Sequence, residues 1–413
     1  MREDVFGIYS VLWPNVSRTY WASHQAPLRL PPAPKRLINL LAGTLYACVR
    51  TVAVLCIRPL DVSSAPHVAG GNVGSRELAA CDQRHCSVTF LEHEVKSVVN
   101  SPTSTGMGFW SINPYIGCEF GCTYCYARFT HRYAVERAHD AGKASTKAVA
   151  QFQASGSWEI FERHIFVKRR QAVLAALERD LVRIHSQNAL GDPHPIIIGT
   201  ATDPYQPGER RFQITRAILE RFSDARGLAI GIITKSPLIC RDVDLLGELG
   251  YRHRVTVYIS LISTDIRTVK LFEPHASMPH ARLHILQKLN KAGVRAGINA
   301  APILPGITDS VFQIDALMLA AREANVAFVH PSVLRFYPAV RDRFLSIIAQ
   351  HFPNLIPRYR AAYRGNRDAP SSYVSAVQRR FQRIARKHGV DSDDPLQVRE
   401  HRVAKQKMQL SLL

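Results

Sequence analysis

Three cysteines fall within eight residues of the stretch NPYIGCEFGCTYCYAR (113–128): Cys118, Cys122 and Cys125, spaced C-x3-C-x2-C with no fourth cysteine nearby. A structural zinc site takes four ligands, so three thiols without a partner pair suit zinc poorly. They suit a 4Fe-4S cluster better, because three thiolates leave one iron open to an outside ligand. S-adenosylmethionine can fill that position with its amino and carboxylate groups. Its sulfonium would then be placed to accept an electron and break into methionine and a 5′-deoxyadenosyl radical, chemistry that a protein positions and shields. Gly117 and Gly121 let the chain close tightly around such a cluster, and Tyr124 offers a ring face for adenine.

Residues of this kind need a scaffold, and the chain has a regular one. From about residue 108, short apolar runs suited to buried strands alternate with longer amphipathic stretches. FWSINPY precedes the cysteines. PIIIGT (195–200) leads to ITRAILERF, LAIGIITKS (228–236) to VDLLGELG, and VTVYISL (255–261) to ARLHILQKLNKAG. RAGINAAPILPG (295–306) leads to FQIDALMLAAREAN, and FVHPSVLRF (328–336) closes the series. Strand–helix alternation with short connections predicts parallel strands with right-handed crossovers. About six strands predict an incomplete barrel of the α/β class, a partial (β/α)6 TIM-like barrel. Cys118, Thr200 to Asp203, Lys235 with Ser236, Ser260, and Asn299 to Pro305 all fall at or just past the C-terminal ends of these strands, the rim where such barrels build sites.

The flanks differ from this core. Residues 1–90 read as an N-terminal extension with a linker near 68–78, residues 91–345 as the barrel, and 346–413 as a helical basic C-terminal region. The apolar stretch at 38–57 approaches a membrane span in length, but Arg50 inside it argues for a packed helix or a leader instead. Cys81 and Cys86, in CDQRHC, have no second pair and read as incidental thiols. Eight cysteines in 413 residues are too few for a disulfide scaffold, and no secretory signal opens the chain, which fits a cytoplasmic protein. The formal charge of +20 favours anionic partners. From Arg358 to Lys407 there are 13 Lys and Arg against five acids, and SSYVSAVQRRFQRIARKHG reads as an amphipathic helix with arginines on one side. That helix could lie along a phosphate backbone or simply present a solvated face.

Five stretches occur in order: SINPYIGCEFGCTYCYAR, GTATDPYQPGERR, IITKS, EPHASMPHARL and GINAAPILPGITD. Together they resemble the radical S-adenosylmethionine (radical SAM) superfamily and, within it, the spore photoproduct lyase-related branch, over roughly residues 90–390. The resemblance implies that Cys118, Cys122 and Cys125 ligate the cluster. It implies that Lys235 and Ser260 contact the methionine end of SAM, with Thr202 and Asp203 beside them and Asn299 in the same cofactor site. Each has a local alternative: Lys235 as a strand-end cap, Ser260 bonded to nearby backbone, Asp203 initiating a turn before Pro204. The branch typically carries a hydrogen-donating cysteine in the loop that here reads GTATDP, which has no thiol. Cys240 is the candidate replacement, on condition that it faces the barrel. His275 and Tyr205 are candidates for proton and radical transfer, with surface exposure and core packing as the respective alternatives. The implied partners are an acidic electron donor such as flavodoxin or ferredoxin, and a nucleic-acid substrate. The contrasting reading is a non-catalytic nucleic-acid-binding protein in which a cluster or zinc merely folds the segment around Cys118.

Overall fold

A computed structural model describes residues 77–78, 88–93, 95–105, 107–128, 161–189 and 194–392. The apolar stretch at 38–57, the linker near 68–78 except Glu77–Leu78, Cys81, Cys86 and the basic residues beyond 392 lie outside the described residues. The chain divides into a unit of residues 1–71 and one of residues 72–413; only the second is described below.

Uncharged runs of β-branched residues satisfy their packing best in strands buried on both faces. The described residues build eleven strands in order: β1 Glu77–Leu78, β2 Thr89–His93, β3 Val99–Asn100, β4 Trp110–Ile112, β5 Tyr115–Ile116, β6 His164–Lys168, β7 Ile196–Ile198, β8 Ala229–Thr234, β9 Arg254–Ser260, β10 Arg295–Ile303 and β11 Val329–Val333. Seven form one sheet in the order β11-β10-β9-β8-β7-β4-β3. Six of these, β4 and β7 to β11, are mutually parallel, and β3 adds an antiparallel edge. They are the six strands expected from the sequence. Parallel strands paired in chain order must be joined by crossovers, and right-handed crossovers put every connecting helix on one side. That is the arrangement of an open barrel wall.

The helices at 214–222, 243–252, 279–291 and 311–323 lie where the amphipathic stretches predict crossovers. We label α1 Arg170–Ala189, α2 Ile214–Phe222, α3 Val243–Arg252, α4 Ile266–Phe272, α5 Pro279–Lys291, α6 Val311–Glu323, α7 Pro338–His351 and α8 Ser371–His388. Caps set several starts: Asp265 accepts from the amides of Arg267 and Thr268, and Ser310 from that of Gln313. In α2 the buried face is Ile214, Ala217, Ile218, Leu219 and Phe222, each large apolar side chain stabilising by about 1.5–3 kcal/mol. Among the described residues no helix is long and apolar enough to cross a membrane.

A second sheet, ordered β1-β2-β6-β5, has no counterpart in the sequence reading. Its strand β5 begins three residues after β4 ends, so the chain leaves the large sheet and joins the small one immediately before Cys118. The cysteine loop thus hangs between two sheets.

Candidate active site

The cysteine loop is fixed from four directions by backbone groups. Cys118 N–H donates to Phe161 O at 3.0 Å, just before β6, and Thr123 N–H donates to Phe272 O at 2.9 Å, at the end of α4. Thr202 Oγ1 donates to Gly117 O at 2.6 Å, and Gln206 Nε2 reaches the same carbonyl at 3.3 Å. The fourth support is Arg128, whose Nη2 donates to Cys122 O at 2.9 Å and pairs with Glu162. Arg343, on α7, pairs with the same carboxylate. Gly117 and Gly121 have φ of 94° and 63°, the left-handed region that favours glycine. At Gly121 a Cβ would also meet the His275 ring at 2.9 Å.

Burial pushes the Cys118 thiol well up, with Asp203 and an ionised Cys122 adding to the rise. Cys122 is pushed up to about 12, again chiefly by burial, against the pull of Lys235. Among the described residues no three His, Cys, Asp or Glu side chains converge as ligands of a single ion. A 4Fe-4S cluster takes each thiolate at a different iron, so this donor set fits it better than it fits zinc.

Lys235 follows the last residue of β8. Burial lowers its pKa, but the charges of Cys122, Glu273 and Asp203 outweigh that, and the net shift is upward despite Arg282. Its Nζ lies 6.0 Å from the centre of the Tyr124 ring, so a cation already faces the ring that the sequence assigned to adenine. The Tyr124 hydroxyl donates to Glu273, which also pairs with Arg282; both members of that ion pair are fully buried. Arg282 in turn donates through Nη1 to Ser260 O at 2.8 Å.

Strand register gathers the rest. Thr234 stands opposite Ile259, so Lys235 is level with Ser260; Ser260 is opposite Asn299, and Asn299 opposite His330. In-register neighbours on parallel strands share a face, so Lys235, Ser260, Asn299 and His330 form one polar row across β8 to β11. Thr202 and Asp203 lie beside it as braces. Asp203 Oδ1 accepts from Tyr205 N–H at 2.9 Å and Thr234 Oγ1 at 2.7 Å, and Oδ2 accepts from Lys235 N–H at 2.8 Å. Both carboxylate oxygens thus tie the loop after β7 to the end of β8.

Cys240 is not brought to this row. It sits half-buried in the 3-10 turn Pro237–Asp242, which packs on α5, and its charged neighbour is Lys288 of that outer helix. This placement puts it beside α5 and not in the row. Tyr205 is completely buried and His275 is exposed. Both line a cavity of about 230 Å³ with Phe120, Arg210, Ser236 and Ser277. Sequence reading passed over Arg128, Gln206, Glu273, Arg282 and His330. Glu273 and Arg282 stood inside a recognised stretch, EPHASMPHARL, but only folding shows them buried together.

Residues 112–318 match the model of the Radical SAM superfamily, and the chain belongs to that superfamily. Its cofactors are accordingly a 4Fe-4S cluster and SAM. More particularly, the chain is similar to an uncharacterised protein of Mycobacterium tuberculosis, 29% identical over 74% of this chain and 83% of the relative. It is also similar to one of Methanocaldococcus jannaschii, 26% identical over 54% and 70% respectively. Among solved structures it resembles spore photoproduct lyase complexed with dinucleoside spore photoproduct, at 13% identity, a TM-score of 0.47, and coverage of 72% of this chain and 79% of the other.

Proposed function

We propose that this protein is a radical SAM enzyme in which Cys118, Cys122 and Cys125 hold the cluster and the row from Lys235 to His330 forms the floor on which SAM and substrate lie. A bound cluster, held by Cys118, Cys122 and Cys125, would supply the electron for reductive cleavage of SAM and so the radical chemistry used on substrate. The observation that carries the reading is the position of Lys235. It is a half-buried ammonium that feels the charge of Cys122, at the C-terminal end of a central strand, level with Ser260 and Asn299.

The residues divide the work. Lys235 presents a charge suited to the methionine carboxylate, with Ser260 and Asn299 as neutral hydrogen-bonding partners. Asp203 holds the Lys235 backbone at 2.8 Å, and Thr202 and Gln206 hold the Gly117 carbonyl, so the loop and the lysine keep a fixed relation. Cys240 has no part in this scheme, and the hydrogen donor to the product is sought on the substrate side of the row. Nucleic acid is the proposed substrate class. It is supported by the +20 charge and by the basic face of α8, on which Arg379, Arg383, Arg386 and Lys387 are exposed with no acid in the helix. An acidic flavodoxin or ferredoxin is the proposed electron donor, and the cytoplasm the proposed compartment.

The test is to replace Lys235 with Ala and measure iron content and SAM affinity together. The variant should keep its iron while its SAM Kd rises about tenfold to a hundredfold, the loss of a hydrogen bond to a charged group. Unchanged affinity would remove Lys235 from the site.

A further inference from the structure

The seam between α6 and α8 presents an unusual pair of exposed side chains. Phe312, in the first turn of α6, is 67% exposed. That turn follows the loop after β10, so it lies at the rim where the proposed site opens. Contacts on either side of it fix the alignment of the two helices. Arg380 Nη1 donates to the carbonyl of Asp309 at 2.5 Å, and Lys387 Nζ donates to Asp315 Oδ1 at 2.7 Å. Arg383 lies between Arg380 and Lys387 on the same face of α8, one helical turn from each. Residue 312 lies midway between 309 and 315. Arg383 and, one turn before it, Arg379 are both exposed on the helix that packs beside α6.

The acids at this seam are already neutralised. Asp315 accepts from Lys387 and from His388 at 2.9 Å, and Asp309 accepts from Tyr373 at 2.7 Å with Arg380 nearby. The two helices thus expose an aromatic ring on α6 and arginines on α8 that no acid of the seam answers. The next turn along the rim adds Ile266, 52% exposed, and is tied to α6 by Ser263 Oγ donating to Gln313 Oε1 at 2.9 Å. An exposed ring with arginines beside it is the combination that binds single strands, the ring stacking a base and the cations holding phosphates.

We infer that this face, the first turn of α6 with α8, is the docking surface for a single-stranded nucleic acid, with Phe312 stacking one base and Arg379 and Arg383 holding the adjoining phosphates. The inference rests on the nucleic-acid reading of the substrate made above. It adds where the strand is gripped and by which side chains.

The experiment is fluorescence anisotropy of the reconstituted full chain with a labelled oligothymidylate of about twelve nucleotides and an abasic strand of equal length. F312A should weaken oligothymidylate binding about tenfold and leave the abasic strand unaffected, while F312W restores affinity, because only a base offers a stacking face. R379E/R383E should weaken both strands and reduce the dependence of log K on log salt by about two units of slope. Both variants change exposed residues, and unaltered melting curves confirm that they fold. If the wild type binds but F312A and R379E/R383E bind equally well, or F312A loses as much on the abasic strand, the surface is wrong and the substrate class survives. If the wild type binds neither strand, the nucleic-acid reading and this surface both fall, while release of 5′-deoxyadenosine still reports on the enzyme. If R379E/R383E slows reduction by an acidic flavodoxin and leaves strand binding unchanged, the face belongs to the electron donor and the inference is overturned.

Discussion

The cysteine loop and helix α8 are both held by polar contacts, but with opposite consequences for the charges they carry. Around the loop, Glu273, Arg282 and Asp203 are buried and Lys235 is half-buried, and each is answered by a hydrogen bond or an opposite charge. On α8, the apolar residues Tyr373, Val377, Phe381, Ile384 and Ala385 are buried while Arg379, Arg383 and Arg386 are left to water. A buried charge has a large and specific effect because its desolvation must be compensated. An exposed one acts at longer range and is screened by salt. The first arrangement suits chemistry at a fixed point, and the second suits the capture of a flexible anionic partner.

The sharpest way to break this contrast is at Arg282. R282M strands the fully buried Glu273 carboxylate next to Cys122 and Lys235. Removing one partner of such a pair costs about 3–5 kcal/mol, which denaturant unfolding would register, and iron retention should fall with it. The double variant E273L/R282M should recover much of the stability, because no unpaired charge is left. If the single variant is as stable as the wild type, the buried network is not what holds the loop.

A second buried cation allows a test by pH. Lys168, on β6, donates to the carbonyl of Asn113, and burial lowers its pKa from 10.5 to about 8, with Asp180 opposing. The folded state therefore binds this proton less tightly than the unfolded chain, and between those two values the unfolded chain carries more protons. Stability should rise with pH across that window, by about 3 kcal/mol. K168M should lack this rise when unfolding is followed from pH 7 to 10.5. An identical pH dependence in both proteins would contradict the assignment.

The smallest expected effect completes the comparison. R379E/R383E should change unfolding free energy by no more than about 0.5 kcal/mol, as surface substitutions generally do. A large loss would mean that these arginines belong to the fold and not to recognition.

Much of the frame was legible because it is local. The runs PIIIGT and VTVYISL and the stretches that follow them carry their periodicity within a few residues, and β7, β9 and their helices appear where that pattern puts them. The C-x3-C-x2-C spacing was legible for the same reason. The small sheet was not, since β2 pairs with β6 across more than seventy positions and β5 is two residues long. Nor was the work of Glu273 and Arg282, whose polar side chains give no sequence signal of being buried. Register is the intermediate case: Asn299 was expected at the rim, but His330 joins its row only because β10 and β11 pair at that position. Cys240 lies just past the ITKS motif, yet its charged neighbour is Lys288 of α5 and not a member of the row.

The most direct measurement of the central claim is anaerobic reconstitution with iron and sulfide, followed by reduction in the presence of SAM. Iron per chain and released 5′-deoxyadenosine would be measured for the wild type and for C118A, C122A and C125A. The account predicts a 4Fe-4S spectrum and deoxyadenosine from the wild type, with both lost in each variant and both kept in a C240A control. Deoxyadenosine from any of the three cysteine variants at the wild-type rate would contradict it.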